Sequence, residues 1–158
     1  MFSARLTQLI ESNWREIAEL AARRLAADPR SSNYHQMKPA EIHDRAYEIL
    51  HNLSFWLVAG DRVELHRRYV ALGQIRCAEG MPVMQVVRKL QVIKQAVREY
   101  VRDHRMGPDA VELHGEYDLT SALDLFFDEA IYGIVKGFEL QWEFDEDRMD
   151  SVLNGPSA

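Results

Sequence analysis

The stretch that decides the fold runs from Tyr69 to Tyr100 and reads YVALGQIRCAEGMPVMQVVRKLQVIKQAVREY. Its first half carries apolar residues at helical spacing, and its second half begins a longer series with the same three-and-four spacing. The segment Glu79–Pro82 lies between the two halves. Glycine readily ends a helix and proline suits the start of the next one, so Gly80 and Pro82 predict a sharp corner joining two helices.

The apolar spacing continues on both sides of this corner. Asp28-Pro29 and Gly60 mark helix ends, and Asp61 followed by Glu64 is a capping-box variant that begins a new helix. We therefore predict an all-α, single-domain bundle of about five helices over residues 1–144. Their predicted ranges are 3–27, 39–59, 61–78, 83 to about 103, and from 109 or 111 to at least 144.

Two segments show no helical pattern. The polar residues 30–35 are predicted to form a loop, and the break at residues 104–108 is predicted to separate the last two helices. The acidic residues 145–158 are predicted to be a tail of frayed helix followed by disorder, because they contain too few apolar residues to be held against a core.

Gly133 and Gly137 lie one turn apart within the apolar sector of the last helix. Each costs about 1 kcal/mol relative to alanine in a helix interior. The close approach of another helix would explain them. We expect that contact within the chain, with the helix of residues 83–103, and an interface between two copies is the alternative.

The net charge of −6 is unevenly distributed along the chain. Residues 76–105 carry seven basic and three acidic side chains, a net charge of +4, whereas residues 109–150 carry two basic and thirteen acidic ones, a net charge of −11. An acidic surface of this kind repels phosphate backbones. Nucleic-acid binding is therefore disfavoured.

Three features indicate a cytoplasmic protein. Cys77 is the single cysteine and cannot form an internal disulfide, and no secretion signal follows Met1. The longest unbroken apolar run, Phe55–Ala59, is far shorter than the roughly 20 residues that cross a bilayer. We expect no membrane-spanning segment.

The reactive side chains form no recognisable catalytic or metal-binding motif. Among the six histidines, His43 and His51 are eight residues apart, so on one helix they lie roughly 12 Å apart along its axis and cannot share an ion. The sequence contains no nucleophile elbow, no glycine-rich phosphate loop and no HExxH motif. We predict a protein that is not an enzyme and has no metal or cofactor, with haem held by one histidine as the less favoured alternative.

Two cations lie on or beside apolar helix faces. Arg76 continues the apolar row that includes Tyr69, and Lys94 lies at the edge of the next helix's buried face. A cation in such a position must reach solvent, pair with a carboxylate or bind an anion. We expect Arg76 to be at least half buried in an internal ion pair, and the alternative is a ligand or partner site formed by Tyr69, Arg76 and Lys94. The candidate acceptors for that ion pair are Glu79, Asp44 and Glu48.

Short motifs around the corner carry a family resemblance. They are Leu72-Gly73, Arg76, Glu79-Gly80, Pro82, Val86-Val87 and Leu90, flanked by Trp56-Leu57, Gly60-Asp61 and Phe126–Ala130. Together, over residues 6–144, they resemble the N-terminal sensor-type domain of RsbRD-like proteins, bacterial relatives of the stressosome co-antagonists. Most of these motifs are structural, as at Gly73, Glu79, Gly80 and Pro82.

The resemblance implies an all-helical regulatory domain, related in fold to the globins but without haem, that dimerises and passes a signal to an output domain. Such an output is a STAS domain or a histidine kinase, and these 158 residues contain neither, so a free-standing regulator and a piece of a longer protein both stay open. We expect a cytoplasmic signal-transduction or protein-interaction module of a stress response, homodimeric through helix faces that include the first or last helix, with an unknown protein partner. The alternative is a sensor that holds haem, a small anion or a fatty molecule.

Overall fold

The computed structural model describes residues 4–104 and 110–155, with side chains for residues 7–104 and 117–155. These residues form helices without any strand, which confirms the all-α prediction. The helices are α1 (Ala4–Ser12), α2 (Trp14–Ala27), α3 (Ser32–His35), α4 (Pro39–Ala59), α5 (Arg62–Ala78), α6 (Val83–His104) and α7 (Ala110–Leu153). The predicted break at residues 104–108 lies mostly outside the described residues.

The predicted helix ends around α4 and α5 are confirmed. Gly60 follows α4 in the left-handed conformation, with φ of 64°, and its N–H donates to the carbonyl oxygen of Trp56. The Asp61 carboxylate then accepts a hydrogen bond of 3.0 Å from the Glu64 N–H at the start of α5. These caps satisfy backbone groups that a helix end leaves unpaired.

The close contact predicted for Gly133 and Gly137 lies within the chain, but its partner is α5. The prediction of a contact with the helix of residues 83–103 was wrong. A Cβ atom on Gly133 would lie 2.8 Å from the Tyr69 Cβ atom, and one on Gly137 would lie 2.9 Å from the Gly73 Cα atom. Because only glycine leaves room for this approach, three glycines bring the backbones of α5 and α7 into direct contact.

The helix predicted over residues 3–27 is interrupted at Asn13. This residue has φ of −122° and ψ of 22°, outside helical geometry. Its side-chain amide donates to the carbonyl oxygen of Leu9 at 2.8 Å. Asparagine side chains compete in this way with the helix backbone, so the chain forms two helices where the apolar spacing predicted one.

The loop predicted for residues 30–35 is also wrong in part, because α3 lies within it. Tyr34 and Ser31 are fully buried, and Ser31 donates to the Asp28 carboxylate at 2.7 Å. The same carboxylate accepts a 2.7 Å hydrogen bond from Arg88 on α6, and these two partners lower the pKa of Asp28 to about 2. The segment is therefore anchored on the bundle.

Helix α7 continues past the predicted start of the tail and ends at Leu153. From Trp142 to Leu153 every side chain is exposed. We call this segment the projecting end. The frayed tail predicted from residue 145 is thus helical as far as Leu153, and residues 156–158 lie outside the described residues.

The core has two parts. The larger contains apolar residues of α1, α2, α4, α5, α6 and α7. The smaller joins α2, α3, α4 and α6 and consists of Leu25, Tyr34, Ile42 and Val92. None of the described helices combines the length and the apolar character needed to cross a bilayer.

Candidate functional site

Three cationic side chains and a phenol, contributed by α3, α4, α5 and α6, lie close enough to influence one another's charge. They are Tyr34, Arg45, Arg76 and Lys89, and we call them the cationic cluster. Arg76 and Lys89 are the charged residues classed as buried among those described, at 8% and 1% exposure. Burying charge is costly unless it is compensated, so this concentration is the least ordinary feature of the described part of the chain.

Arg76 is held at the end of α5 by carboxylates. Its Nη1 atom donates to both carboxylate oxygens of Glu79 at 3.0 Å, and its Nη2 atom lies 3.7 Å from the Glu48 carboxylate. The prediction of a buried Arg76 paired with a carboxylate is confirmed. Its partners are two of the three acceptors named from the sequence.

Arg45 on α4 shares one of these carboxylates. Its Nη2 atom lies 3.1 Å from Glu41, one helical turn earlier, and 3.7 Å from Glu79. Glu79 therefore bridges the two guanidinium groups. The turn that the corner imposes positions this bridge: Gly80 has φ of 80°, and the Met81 N–H donates to the carbonyl oxygen of Arg76 at 3.1 Å.

Pro82 completes the corner by starting α6. Its carbonyl oxygen accepts from the N–H groups of Gln85 and Val86, at 3.0 and 3.4 Å. The corner residues Glu79, Gly80 and Pro82 thus have the structural roles predicted for them, and Glu79 also contributes charge to the cluster.

Lys89 lies on the buried face of α6. Its burial, together with the nearby charges of Arg76 and Arg45, lowers the pKa of its ammonium group to about 7, and Glu48 and Glu79 partly oppose that shift. Within residues 7–104 and 117–155, no hydrogen bond or ion pair involves this ammonium group. Lys89 is therefore a buried cation without a direct partner in the described part of the protein.

Three polar atoms of the cluster are buried without an acceptor or donor among the described residues. They are the Tyr34 hydroxyl, Arg45 Nη1 and Arg76 Nε. Burial raises the pKa of Tyr34 to about 12, so its hydroxyl stays protonated and can donate. Buried donors in folded proteins are nearly always paired, so several unpaired ones at one place need an explanation.

The carboxylates occupy the outer side of the cluster. The side chains of Glu41, Glu48 and Glu79 are 50%, 51% and 41% exposed, whereas those of Arg45 and Arg76 are 14% and 10% exposed. The negative charges therefore lie toward solvent and the positive charges toward the interior. The interior side of the cluster is suited to an anion.

The other two residues of the predicted ligand site lie elsewhere. Lys94 pairs with Asp124 on α7 at 2.7 Å, and Arg98 approaches the same carboxylate at 3.6 Å. Tyr69 is fully buried and packs edge-on against Phe126, with ring centroids 5.8 Å apart. Burial raises its pKa. No contact in the described residues joins Tyr69, Arg76 and Lys94 into one site.

Sequence reasoning missed Lys89, Tyr34 and Arg45. A signal for Lys89 was present, since it follows Val86 by three residues and precedes Ile93 by four, at the spacing of the buried face. Tyr34 stood in a polar segment that gave no periodic signal. The convergence of these residues depends on how four helices pack, which no local pattern encodes.

The histidines and Cys77 are the remaining candidates for metal binding or catalysis. Within the described residues, no group of three or more histidine, cysteine or acidic side chains could hold a metal ion. His66 pairs with Glu129 at 3.0 Å, and His104 stacks on Tyr100. Cys77 is half-buried, and burial raises the pKa of its thiol, which disfavours the reactive thiolate.

Comparison of this sequence with protein-family models, with curated protein sequences and with solved structures gives no match. The resemblance to the RsbRD-like sensor domain therefore stays a prediction.

Proposed function

We propose that this chain is a non-enzymatic signal-transduction module that works as a homodimer through the projecting end of α7. The observation that supports the proposal is the exposed apolar surface of that segment. Trp142, Met149 and Leu153 are 48%, 64% and 77% exposed. Apolar side chains grouped on one side of an exposed helix are typical of a surface used for association.

The spacing of these side chains suits a second helix. Val135, Trp142 and Met149 are seven residues apart and all exposed, and Phe138, Asp145 and Val152 occupy the intermediate position of the same repeat, which is therefore apolar at five of its six positions. A seven-residue apolar repeat is the pattern of two-stranded coiled coils. Phe138 is buried in the bundle, so the repeat becomes free for a partner from Trp142 onward.

A second copy of the chain is the partner that this surface suits. Two identical copies present the same repeat, and closed twofold dimers are the commonest assemblies of soluble chains. The projecting end is also continuous with a helix that the bundle already holds, so no separate helix nucleus must form. The RsbRD-like resemblance independently implies a dimeric regulatory domain, and a stress-response role in the cytoplasm is part of that implication.

The charge of the projecting end predicts how the proposed dimer responds to salt. Between Trp142 and Leu153 there are five acidic side chains and one basic one, a net charge of −4 on each copy. Two copies therefore repel each other, and salt screens that repulsion. Association of two copies should strengthen as salt is added, whereas binding of a basic partner would weaken.

Sedimentation equilibrium at micromolar concentration, in low and in high sodium chloride, tests the proposal. We expect a species of twice the 18.3 kDa chain mass that is more populated at high salt. Trp142→Ala should shift the protein toward folded monomer. Phe144→Ala is the matched control, because Phe144 is exposed on the opposite side of the same helix and its loss should leave the dimer intact. A wild-type chain that stays monomeric at both salt concentrations would overturn the proposal.

A further inference from the structure

We propose that the cationic cluster is a binding site for a small inorganic oxyanion. The site would lie between α3, α4, α5 and α6 and would use groups from each of these helices: Tyr34, Arg45, Arg76 and Lys89. The binding itself is independent of the dimer. Its use as a regulatory signal rests on the function proposed above.

Several hydrogen-bond donors of the cationic cluster have no acceptor among the described residues. The Tyr34 hydroxyl, Arg45 Nη1 and Arg76 Nε are buried without partners, and the Lys89 ammonium group has neither a hydrogen bond nor an ion pair among the described residues. All four groups are hydrogen-bond donors. The charged guanidinium and ammonium groups cannot accept a hydrogen bond, and the phenol can donate without accepting one. A ligand composed mainly of acceptors would satisfy them together.

The charges of the cluster are placed asymmetrically, with the carboxylates on its solvent side. Glu79 and Glu48 compensate the guanidinium groups from the solvent side, where Glu79 receives both Nη1 hydrogen bonds of Arg76 at 3.0 Å. The Arg76 Nε and Arg45 Nη1 atoms have no acceptor among the described residues and could each donate to a bound ligand. Lys89 adds a third positive charge without a carboxylate of its own.

The types of donor in the cluster also indicate the chemical class of the ligand. Guanidinium and ammonium groups that converge from separate helices favour an anion with several oxygen atoms, because each donor then meets its own acceptor. Tyr34 also belongs to the small apolar core, with Leu25, Ile42 and Val92. The number of donors favours an ion with three or four oxygen atoms, of which phosphate, sulfate and bicarbonate are the available probes.

Bound anion should also change the protonation of Lys89. The charged groups that act on this amine are Arg45 and Glu48 of α4, Arg76 of α5 and Glu79 after it. An added negative charge favours the ammonium form, so binding above neutral pH should take up a proton. Calorimetry in two buffers of different ionisation enthalpy measures that uptake directly.

The test is titration of the full chain with inorganic phosphate, sodium sulfate and sodium bicarbonate at constant ionic strength, with sodium chloride as the reference. We expect saturable one-to-one binding of at least one oxyanion and a matching rise in the thermal unfolding midpoint. Proton uptake should accompany it above neutral pH. The absence of saturable binding for all three oxyanions would overturn the inference.

Single-residue variants distinguish binding at this site from nonspecific attraction of anions to positive charge. Lys89→Met keeps an unbranched side chain of similar length and removes its charge, so it should abolish binding. Tyr34→Phe removes a single hydroxyl and should weaken binding about tenfold. Lys94→Met is the matched control on the same helix, since Lys94 pairs with Asp124 away from the cluster, and it should bind as the wild type does. Equal binding by Lys89→Met and the wild type would overturn the inference.

Trp142→Ala makes the two proposals distinguishable. Oxyanion binding should persist in this variant even though it is expected to be monomeric. A dimeric chain that binds no oxyanion would overturn only the present inference, and a monomeric wild type that binds one would overturn only the proposed association.

Discussion

Gly137 on α7 lies against Gly73 on α5 so closely that a Cβ atom on Gly137 would sit 2.9 Å from the Gly73 Cα atom. The other nearest atoms are the Gln74 backbone nitrogen, also at 2.9 Å, and the Val70 carbonyl oxygen, which is closer still. All three belong to the backbone of α5. They cannot move aside as a flexible side chain could.

Gly137→Ala should therefore lower the free energy of unfolding by about 1 to 3 kcal/mol, because overpacking outweighs the roughly 1 kcal/mol that alanine gains in a helix. Urea denaturation followed by circular dichroism measures the change. Lys136→Ala, at the exposed neighbouring position, should stay within about 0.5 kcal/mol of the wild type. A more stable Gly137→Ala variant would show that the two backbones are further apart than described here.

Arg76→Ala should lower the free energy of unfolding by about 1 to 3 kcal/mol, since it removes a buried partner of Glu79 and Glu48. Arg67→Ala provides the comparison. Arg67 also pairs with a carboxylate, that of Glu64 at 2.7 Å, but its side chain is 69% exposed, so its loss should have little effect. Urea denaturation measures the stability of both variants, and equal effects would contradict a special role for the buried guanidinium of Arg76.

Lys89 should make stability rise with pH in the range above neutrality. Its pKa is about 7 in the folded protein and near 10.5 when exposed, so between these values the unfolded chain binds the extra proton. Stability therefore increases with pH there, by at most about 1.4 kcal/mol per pH unit. Below pH 7 this increase is absent, and the full cost of burying the charged amine remains.

Lys89→Met should remove that dependence. The variant should exceed the wild type in stability most clearly below pH 7, and the difference should shrink as pH rises toward 10. Urea denaturation in anion-free zwitterionic buffers over this range measures both proteins. Parallel curves at all pH values would mean that Lys89 keeps its ordinary pKa.

Asp145→Leu should strengthen the proposed dimer at least tenfold. Asp145 lies between Trp142 and Met149 on the apolar side of the projecting end, where two copies would bring like charges together. Asp147→Leu adds the same apolar group on another side of the helix and should have a smaller effect. Sedimentation equilibrium compares the two variants, and a similar gain in both would point to charge alone as the cause.

The helices and their ends could be predicted from sequence because their signals are local. Gly60, Asp61 and Gly80 act on backbone groups within a few residues of themselves, and apolar spacing reports the buried face of each long helix. The close contact at Gly133 and Gly137 was also predictable. The helix that makes this contact was not predictable, because a glycine indicates that another helix comes close but does not indicate which one.

The cationic cluster could be predicted only in part. Arg76 was conspicuous because it continued an apolar row, and its acceptor Glu79 lies three residues away. Lys89 was overlooked since a lysine is expected at the surface, and Tyr34 lay in a segment expected to be a loop. Burial of Tyr34 depends on how α3 packs with α2, α4 and α6, and burial of Lys89 depends on the neighbours of α6, and both are properties of the assembled bundle.

Because α5 and α7 touch through their backbones, a movement of α5 is transmitted directly to α7. No flexible side chain lies between them to absorb a shift of α5 at the cationic cluster, so such a shift should tilt α7. Leu153 lies about 24 Å beyond Gly137 along the helix axis, at 1.5 Å per residue, so a tilt of about 5° would displace it by about 2 Å. A change of charge around Arg76 would thus be magnified where α7 leaves the bundle.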